Sequence, residues 1–377
     1  MASSPPNLDN PSSIPEAEAS VSDFIDGKVD GEPVLITDPD LIEQVKAAPA
    51  TMRAVIIRMV SRTQDERNKT QERRKIMTPI QRRRDVVRET IAESPLEKAN
   101  IHHIHSVLAL CGFPYKRPAD DITVYRRQYG RTALTVHSGD LADPYTGKVL
   151  PQGLPYGPKS RLLMLHICTR ALRQKSPAVI IEDSLSSFIR SLGFPKAGGK
   201  KGPYNQFKEQ LNRLAASSMQ IMLWNGAQSL TINTHPISSF NVWLPLNPDQ
   251  KMLWNSTVTL SHDFYDSLQK HALPVDIRAI AALSHSAKQM DMLLWMAYRL
   301  KELNKPYFLT WDLMKEQFCQ SEQRRLVDFQ RQFKQDIADI EEIFSKTLPI
   351  ELNDKGLILR PCDPEGFFIP PGNKFTN

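Results

Sequence analysis

Three histidines lie close enough together in this sequence to suggest metal chemistry. His102, His103 and His105 form the run HHIH, and a His-apolar-His spacing can hold a divalent metal in enzymes that nick DNA. Such histidines lie on a strand, where residues i and i+2 point to the same side. The flanking residues here predict a short helix within 100–118, in which i and i+2 diverge by about 200°. We therefore expect solvated or packed histidines and no metal, and keep metal-dependent nicking as the remoter alternative.

A loop rich in glycine and lysine, KAGGKKG at 196–202, resembles a phosphate-binding loop only superficially. The GxxxxGK[ST] pattern would need glycine at 194 and serine or threonine at 201. The chain has Phe194 and Lys201 instead. We interpret the segment as a turn between two helices, with Pro203 at the first helical position. No other nucleophile, base or carboxylate arrangement stands out, so we predict no catalytic residues and no cofactor.

The four cysteines and the apolar runs bear on where the protein works. Cys111, Cys168, Cys319 and Cys362 are far apart and form no CxxC pair. This spacing argues against a disulfide framework or a zinc knuckle and fits a reducing compartment. The apolar runs are too short to span a bilayer, and the N-terminus lacks the pattern of a secretory signal. We expect a cytoplasmic protein without a membrane partner.

Positive charge is concentrated in one segment. The net charge is only +6, but residues 53–88 carry twelve Lys/Arg against four Asp/Glu, whereas residues 1–45 carry ten Asp/Glu and one lysine. A basic segment on a nearly neutral body is typical of polyanion binding, and a solvated helix is the alternative. The candidate auxiliary contacts are Arg73, Arg74, Lys75, Arg82, Arg83 and Arg84.

The order of predicted elements from residue 160 onward indicates a repeated architecture. A helix over 160–174, a strand at 179–182, a helix over 184–192, a helix over 204–219 and a hairpin around Asn225-Gly226 follow one another. The same order recurs from 287 to 361, ending in a second hairpin at 349–361. Helix, strand, helix, turn, helix and hairpin make a winged helix. Residues 256–283 are interpreted as a strand and two helices that lead into the second copy.

These patterns predict a helix-rich α+β protein with tandem winged-helix domains. The expected organisation is a disordered acidic tail at 1–38, a basic helical region at 39–120, a first winged helix at 121–250, a second at 251–365, and a C-terminal tail at 366–377.

The two long helices of the repeated pattern each have one apolar and one polar face. Phe207, Leu211 and Leu214 line the inner face of the first, and Phe329, Phe333 and Ile337 that of the second. Asn, Gln, Arg and Lys on the opposite faces are side chains that pair with base edges and phosphates. The predicted DNA contacts, with two lysines of the preceding loop, are Lys200, Lys201, Asn205, Gln206, Lys208, Asn212, Arg213, Arg324, Arg325, Asp328, Arg331, Gln332 and Gln335.

Several segments resemble a known family. The sequence is similar to the RepA-type plasmid replication initiators in order and spacing from 153 to 361. The segments that carry the resemblance are GLPYG (153–157), SRLLMLHICTRAL (160–172), DSLSSFIRSLGF (183–194), GPYNQFKEQLNRLAAS (202–217), STVTLSHDFYDSL (256–268), PVDIRAIAALS (274–284), LLWMAYRL (293–300), FLTWDLMKEQF (308–318), LVDFQRQFKQDI (326–337) and GLILRP (356–361).

The resemblance implies a bacterial protein, encoded on a plasmid, that binds double-stranded DNA at the replication origin, often at repeated sites. It further implies help in opening the origin, recruitment of the host initiator and replicative helicase, a dimer–monomer equilibrium and repression of its own promoter. It carries over no catalytic residue. A winged-helix transcriptional repressor, the nicking initiator above and an RNA-binding regulator remain alternatives.

Overall fold

The computed structural model describes residues 25–29, 32–94, 96–143, 146–180, 187–190, 192, 194, 202–241, 257–301, 303–321, 324–344 and 346–362. The chain divides into two compact units, an N-terminal unit at residues 1–82 and a C-terminal unit at residues 83–377. The predicted mixed α+β architecture, rich in helix, is confirmed.

The N-terminal unit is a hairpin packed on two helices. β1 (Ile25–Val29) pairs antiparallel with β2 (Glu32–Ile36), and α1 (Pro39–Ala47) and α2 (Arg53–Lys75) follow. Ile36, Leu41 and Val60 lie in its small core. The prediction of a disordered tail extending to residue 38 is therefore wrong from residue 25 onward, because Ile25, Val34 and Ile36 pack in the core formed with the helices. Residues 1–24 lie outside the described residues.

The next helix, α3 (Pro79–Glu93), extends into the C-terminal unit. The remaining strands of the C-terminal unit are β3 (Ile101–His105), β4 (Val124–Tyr129), β5 (Thr132–His137), β6 (Asp140–Ala142), β7 (Val149–Pro151), β8 (Ala178–Ile180), β9 (Ser218–Trp224), β10 (Ser229–Thr234), β11 (Ile237–Asn241), β12 (Thr257–Leu260), β13 (Ala272–Asp276), β14 (Tyr307–Thr310), β15 (Ile350–Leu352) and β16 (Gly356–Leu359). Its helices are α4 (Ser106–Leu110), α5 (Gly157–Gln174), α6 (Pro203–Ala216), α7 (His262–His271), α8 (Ile277–Ala282), α9 (Ala287–Leu300), α10 (Trp311–Phe318) and α11 (Leu326–Glu341).

The second winged helix has the expected order α9, β14, α10, α11 and a hairpin of β15 and β16. Its sheet order is β14-β16-β15, so the last strand lies between the other two. Ser286 and Thr310 cap α9 and α10 through their side chains, as the local sequence favours. Aromatic rings pack in the core. The ring centres of Trp295 and Phe318 are 5.4 Å apart, and those of Trp311 and Phe333 are 5.9 Å apart.

The first winged helix contains α5, β8, a helical turn at 187–190, and α6. Its sheet order is β11-β12-β8. The last strand, β12, again lies between the first strand, β8, and its own antiparallel partner, β11. Val258 of β12 is opposite Val179 of β8. The two winged helices thus share one strand order, and their described elements follow the same order apart from β9 and β10, which lie between α6 and β11 in the first.

This pairing corrects the predicted wing of the first copy. The hairpin around Asn225-Gly226 exists as β9 and β10, but it pairs with β4 and β5 in a separate sheet of order β10-β9-β5-β4. The strand that pairs with β8 is β12, which the sequence pattern assigned to the lead-in of the second copy. Both strand pairs follow α6 in the chain, and the pairing with β8 identifies β11 and β12 as the wing. The predicted domain boundary at 250/251 falls between β11 and β12, which are paired.

The histidine run also differs from its prediction. Residues 101–105 form β3, paired with β13 so that His103 is opposite Pro274, and the helix α4 begins only at Ser106. The prediction of a helix through the histidines is wrong because this strand is stabilised by a partner about 170 residues further along the chain.

Candidate nucleic-acid interface

Of the two candidate recognition helices, α6 and α11, the exposed side of α11 carries more cationic side chains. Its apolar side is buried as expected, with Phe329, Phe333, Ile337 and Ile340 in the core. Arg325 lies at the N-cap and Arg331 nearly two turns further along, and both side chains are 82% exposed. The helix therefore presents cations near its N-terminal end, which is the part of a recognition helix that reaches base edges.

Asp328 organises the arginines of this end. Its carboxylate lies 2.9 Å from Nε of Arg325 and 3.2 Å from Nη2 of Arg331. The hydrogen bond from Arg325 is the main cause that lowers the pKa of Asp328. Asp328 is thus ionised and orients two guanidinium groups on one surface. A carboxylate in this position also limits the excess positive charge, so phosphate contacts would rest on the arginines around it.

The two glutamines predicted on α11 are exposed but are also engaged within the helix. Gln332 donates to Asp336 at 3.3 Å, and Gln335 donates to Asp339 at 2.9 Å. Asp336 also accepts from Lys288 at 2.7 Å, and this ion pair links α11 to α9. The acidic side chains near the C-terminal end of α11 therefore have cationic or amide partners inside the protein.

The candidate face of α6 is polar and less charged. Asn205 and Gln206 are exposed, whereas Lys208 and Asn212 are partly buried. Burial lowers the pKa of Lys208, and Asp143 acts in the opposite direction. Lys200 and Lys201, predicted on the loop before this helix, lie outside the described residues. Because amide side chains predominate, α6 is better suited to hydrogen bonding with base edges than to charge neutralisation.

Arg213 does not belong to this surface, which corrects its predicted role. It is 8% exposed, donates to the carbonyl oxygen of Leu154 at 3.0 Å and pairs with Glu209 at 3.0 Å. Its guanidinium lies 5.2 Å from the ring centre of Tyr156. The helical pattern places Arg213 near the polar face, but the segment before α5 packs over it.

The N-termini of both candidate helices lack a side-chain cap within the described residues. The N-cap of α6 is Gly202 and that of α11 is Arg325, and neither accepts a capping hydrogen bond. By contrast, the helices α9 and α10 that precede α11 are capped by Ser286 and Thr310. The N-cap side chain of α11 therefore leaves the first backbone N–H groups of this helix uncapped, and such groups bind phosphate well.

The basic segment is divided by its environment. Arg84 is only 4% exposed and pairs with Asp339 at 3.0 Å and Glu342 at 3.1 Å, so its predicted role as an auxiliary contact is wrong. Arg83 donates to the carbonyl oxygen of Leu192, and burial lowers its pKa. In the N-terminal unit, Arg82 donates to the carbonyl oxygen of Arg74, and Lys75 pairs with Glu72 at 2.6 Å. The surface candidates are reduced to Arg73, Arg74, Lys75 and Arg82.

The histidines of β3 differ in their surroundings: His105 is fully buried with a partner for each ring nitrogen, whereas Nδ1 of His102 and Nδ1 of His103 are buried without a hydrogen-bond partner in the described part of the chain. Nδ1 of His105 accepts from the Val107 N–H and so caps α4, while its Nε2 lies 2.9 Å from Oγ of Ser267. Burial lowers the pKa of His105 to about 3 and that of His103 to about 4. The expectation that His103 and His105 point in different directions is wrong, because it assumed a helix and both residues lie on a strand. Among the described residues, no group of three or more His, Cys, Asp or Glu side chains could hold a metal ion.

Val327 is a residue that the sequence pattern did not single out. It is 71% exposed at the second position of α11, although its neighbours on that face are charged or polar. The sequence could have identified Val327 as an apolar residue that lies out of phase with the apolar stripe of Phe329, Phe333 and Ile337.

No helix in the part of the chain that is described combines the length and apolar character needed to cross a bilayer.

Comparison with known proteins supports the resemblance noted from the sequence. Residues 154–313 match the model of a family described as plasmid encoded RepA protein, which confirms the resemblance over that segment. The match covers the first winged helix and extends to the first turn of α10. No curated protein matches the sequence. A crystal structure of domains 2 and 3 of RctB aligns with a TM-score of 0.38 and 7% identity, over 62% of this chain and 85% of that one.

Proposed function

We propose that this protein is a sequence-specific, double-stranded DNA-binding initiator of plasmid replication. The observation that carries the proposal is the family match over residues 154–313, which contains α5, the helical turn at 187–190, α6 and the sheet of β8, β11 and β12. The duplicated winged helix supports it, because each copy contains a long helix with a polar outer face ahead of its last strands. Binding by two such helices to one DNA site needs no catalytic group, so the proposed activity is assembly on the origin.

The two recognition helices are proposed to divide the work of binding. On α11, Arg324, Arg325 and Arg331 contact phosphates and a guanine edge, with Asp328 holding two of them in place. On α6, Asn205 and Gln206 contact base edges. Because phosphate contacts release counterions, the affinity of the protein for DNA should fall steeply as salt concentration rises.

Origin repeats, the protein's own promoter, the host initiator and the replicative helicase are the proposed partners. The protein is proposed to act in the bacterial cytoplasm, bound to its plasmid, and to exchange between dimer and monomer. The basic side chains of the N-terminal unit, the exposed Arg73, Lys75 and Arg82 and the half-buried Arg74, are proposed to add phosphate contacts or to bind one of the host proteins. The sign of their charge supports either partner.

A footprint of the purified protein on DNA that flanks its own gene tests this proposal. Regularly spaced protected sites beside an A·T-rich tract, together with replication of an otherwise origin-less plasmid when the gene is supplied, are the expected results. Protection confined to a promoter, without replication, would instead identify a repressor. A covalent 5′-phosphotyrosyl adduct that requires Mg²⁺ or Mn²⁺ and disappears in His103→Ala would identify a nicking initiator. Stronger competition by RNA than by duplex DNA of the same sequence would identify an RNA-binding regulator.

A further inference from the structure

We propose that Val327 recognises the methyl group of a thymine in the DNA site. The inference rests on the proposed function, since it assumes that α11 enters a major groove. Val327 lies on the exposed side of the first turn of α11. Residues of that first turn are the ones that approach base edges when a helix-turn-helix binds DNA.

Folding gives no reason for an apolar residue at this position. The core side of α11 is complete without Val327, because Phe329, Phe333 and Ile337 are buried and packed on the other helices. A β-branched residue also has a lower helix propensity than lysine, glutamine or alanine. Single exposed apolar residues are common on protein surfaces, so exposure alone would carry no conclusion. Val327 differs from such residues because charged side chains surround it on the helix surface.

The residues one turn away from Val327 include Arg324 and Arg331 as well as Gln330, and Asp328 is next to it in the chain. Asp328 pairs with Arg325 and Arg331 and holds them on the same exposed side of the helix. Cations of this kind favour approach of a phosphate backbone and oppose burial of this surface against a basic or strongly apolar protein. The partner of the surface is therefore polyanionic, and the apolar group on that partner must fit beside charged neighbours.

Duplex DNA offers one apolar group on a base edge in the major groove, the C5 methyl of thymine. A branched aliphatic side chain can contact that methyl while the arginines on either side contact phosphate or guanine. The contact removes about one methyl group from water on each side. This corresponds to roughly a three- to tenfold difference in affinity between thymine and a base without the methyl group.

Deoxyuridine substitution tests the contact directly, because uracil differs from thymine only by the missing methyl. The full-length protein is first used to select a consensus duplex from a random library. Each thymine of the consensus is then replaced by deoxyuridine, and binding of wild type and Val327→Ala is measured. We expect wild type to lose about three- to tenfold affinity at one thymine, and Val327→Ala to bind both duplexes equally at that position.

Val149→Ala is the matched control, since Val149 is 67% exposed on β7, outside both recognition helices. It should keep the wild-type response to deoxyuridine at every position. Circular dichroism should show that Val327→Ala is as helical as wild type. A Val327→Ala protein that retains every wild-type methyl effect would overturn the inference while leaving DNA binding intact. A wild-type protein that selects no duplex would overturn the proposed function itself, and with it this inference.

Discussion

Arg161 and Asp291 form a buried, bidentate ion pair between the first helices of the two winged helices, α5 and α9. Nη2 of Arg161 lies 2.7 Å from Oδ2 of Asp291, and its Nε donates to the other carboxylate oxygen. The remaining N–H groups of the guanidinium donate to the carbonyl oxygens of Phe113, Gly157 and Pro114. All five donors are therefore used, which is the condition under which a buried arginine is tolerated.

Loss of this carboxylate should strongly destabilise the C-terminal unit. Asp291→Ala leaves Arg161 buried without its counter-ion, and we expect a loss of about 3–5 kcal/mol in the free energy of unfolding. Chemical denaturation measures it. Glu351→Ala is the control, because Glu351 pairs with Arg360 on the surface, and that change should cost less than about 1 kcal/mol. Equal losses in the two variants would contradict the structural role of the buried pair.

Gly112 should not tolerate a side chain, because the same ion pair occupies the space beside it. A Cβ at this position would lie 2.3 Å from Oδ2 of Asp291 and 3.0 Å from Nη2 of Arg161. Gly112→Ala should therefore reduce the free energy of unfolding by about 1–3 kcal/mol, as measured by urea denaturation. Gly130→Asn is a suitable comparison, since nothing lies within 4 Å of its Cβ position and asparagine tolerates its positive φ. If Gly112→Ala were as stable as wild type, the close packing at this junction would be wrong.

Substitution of Arg331 should weaken DNA binding, whereas substitution of Arg213 should reduce stability. Arg331→Ala removes an exposed cation from α11, so we expect a loss of about 1–3 kcal/mol in DNA binding and a relaxed preference at one base pair, with stability nearly unchanged. Arg213→Ala removes a buried cation that bonds to Leu154 and Glu209. It should lower the unfolding midpoint and leave the base preference of the folded protein as it is. A binding selection and a denaturation curve on each variant provide both measurements, and exchanged phenotypes would reverse our assignment.

Arg84 should matter for stability, whereas Arg73 should matter only for binding. Arg84→Met removes pairs with Asp339 and Glu342, and because these carboxylates are partly exposed we expect a loss of about 2 kcal/mol in stability. Arg73 is exposed on α2, so Arg73→Met should leave the unfolding midpoint close to wild type. If Arg73 contacts a phosphate, the slope of log K against log salt should fall by about one unit. An unchanged slope would favour a protein partner for that segment.

Acid should destabilise the C-terminal unit through its buried histidines. Burial lowers the pKa of His102 to about 4 and that of His166 to about 3, from an unfolded value of 6.5. The unfolded chain therefore binds more protons than the folded one below pH 6.5, and stability present above that pH is lost as the pH falls toward 4. Each histidine should contribute a loss of about 1 kcal/mol between pH 7 and pH 5.5.

His166→Leu tests this assignment. The two imidazoles are stacked on Phe188, with ring centres 4.4 Å away for His166 and 5.8 Å for His102. The variant should show a pH dependence of unfolding that is smaller by up to about one proton near pH 5. Parallel curves for His166→Leu and wild type would refute neutral burial of this histidine.

The sequence by itself determined the elements whose signals are local. The amphipathic stripe of α11, the Ser and Thr caps of α9 and α10, and the repeated order of helix, strand and long helix follow from residues within a few turns of one another. The winged-helix class could therefore be inferred, and the exposed arginines of α11 could be placed on its outer face. Helical periodicity states which side of a helix is polar, and for α11 that side is exposed.

Only the tertiary structure decided the features that depend on partners distant in the chain. His102 to His105 became a strand because β13 pairs with it, and β12 became the wing strand because it pairs with β8. Arg84 and Arg213 look like surface residues in a helical pattern, but each is covered by a segment that the pattern does not contain. Strand pairing and burial are set by contacts between remote segments, and a periodic signal along one segment carries no information about them.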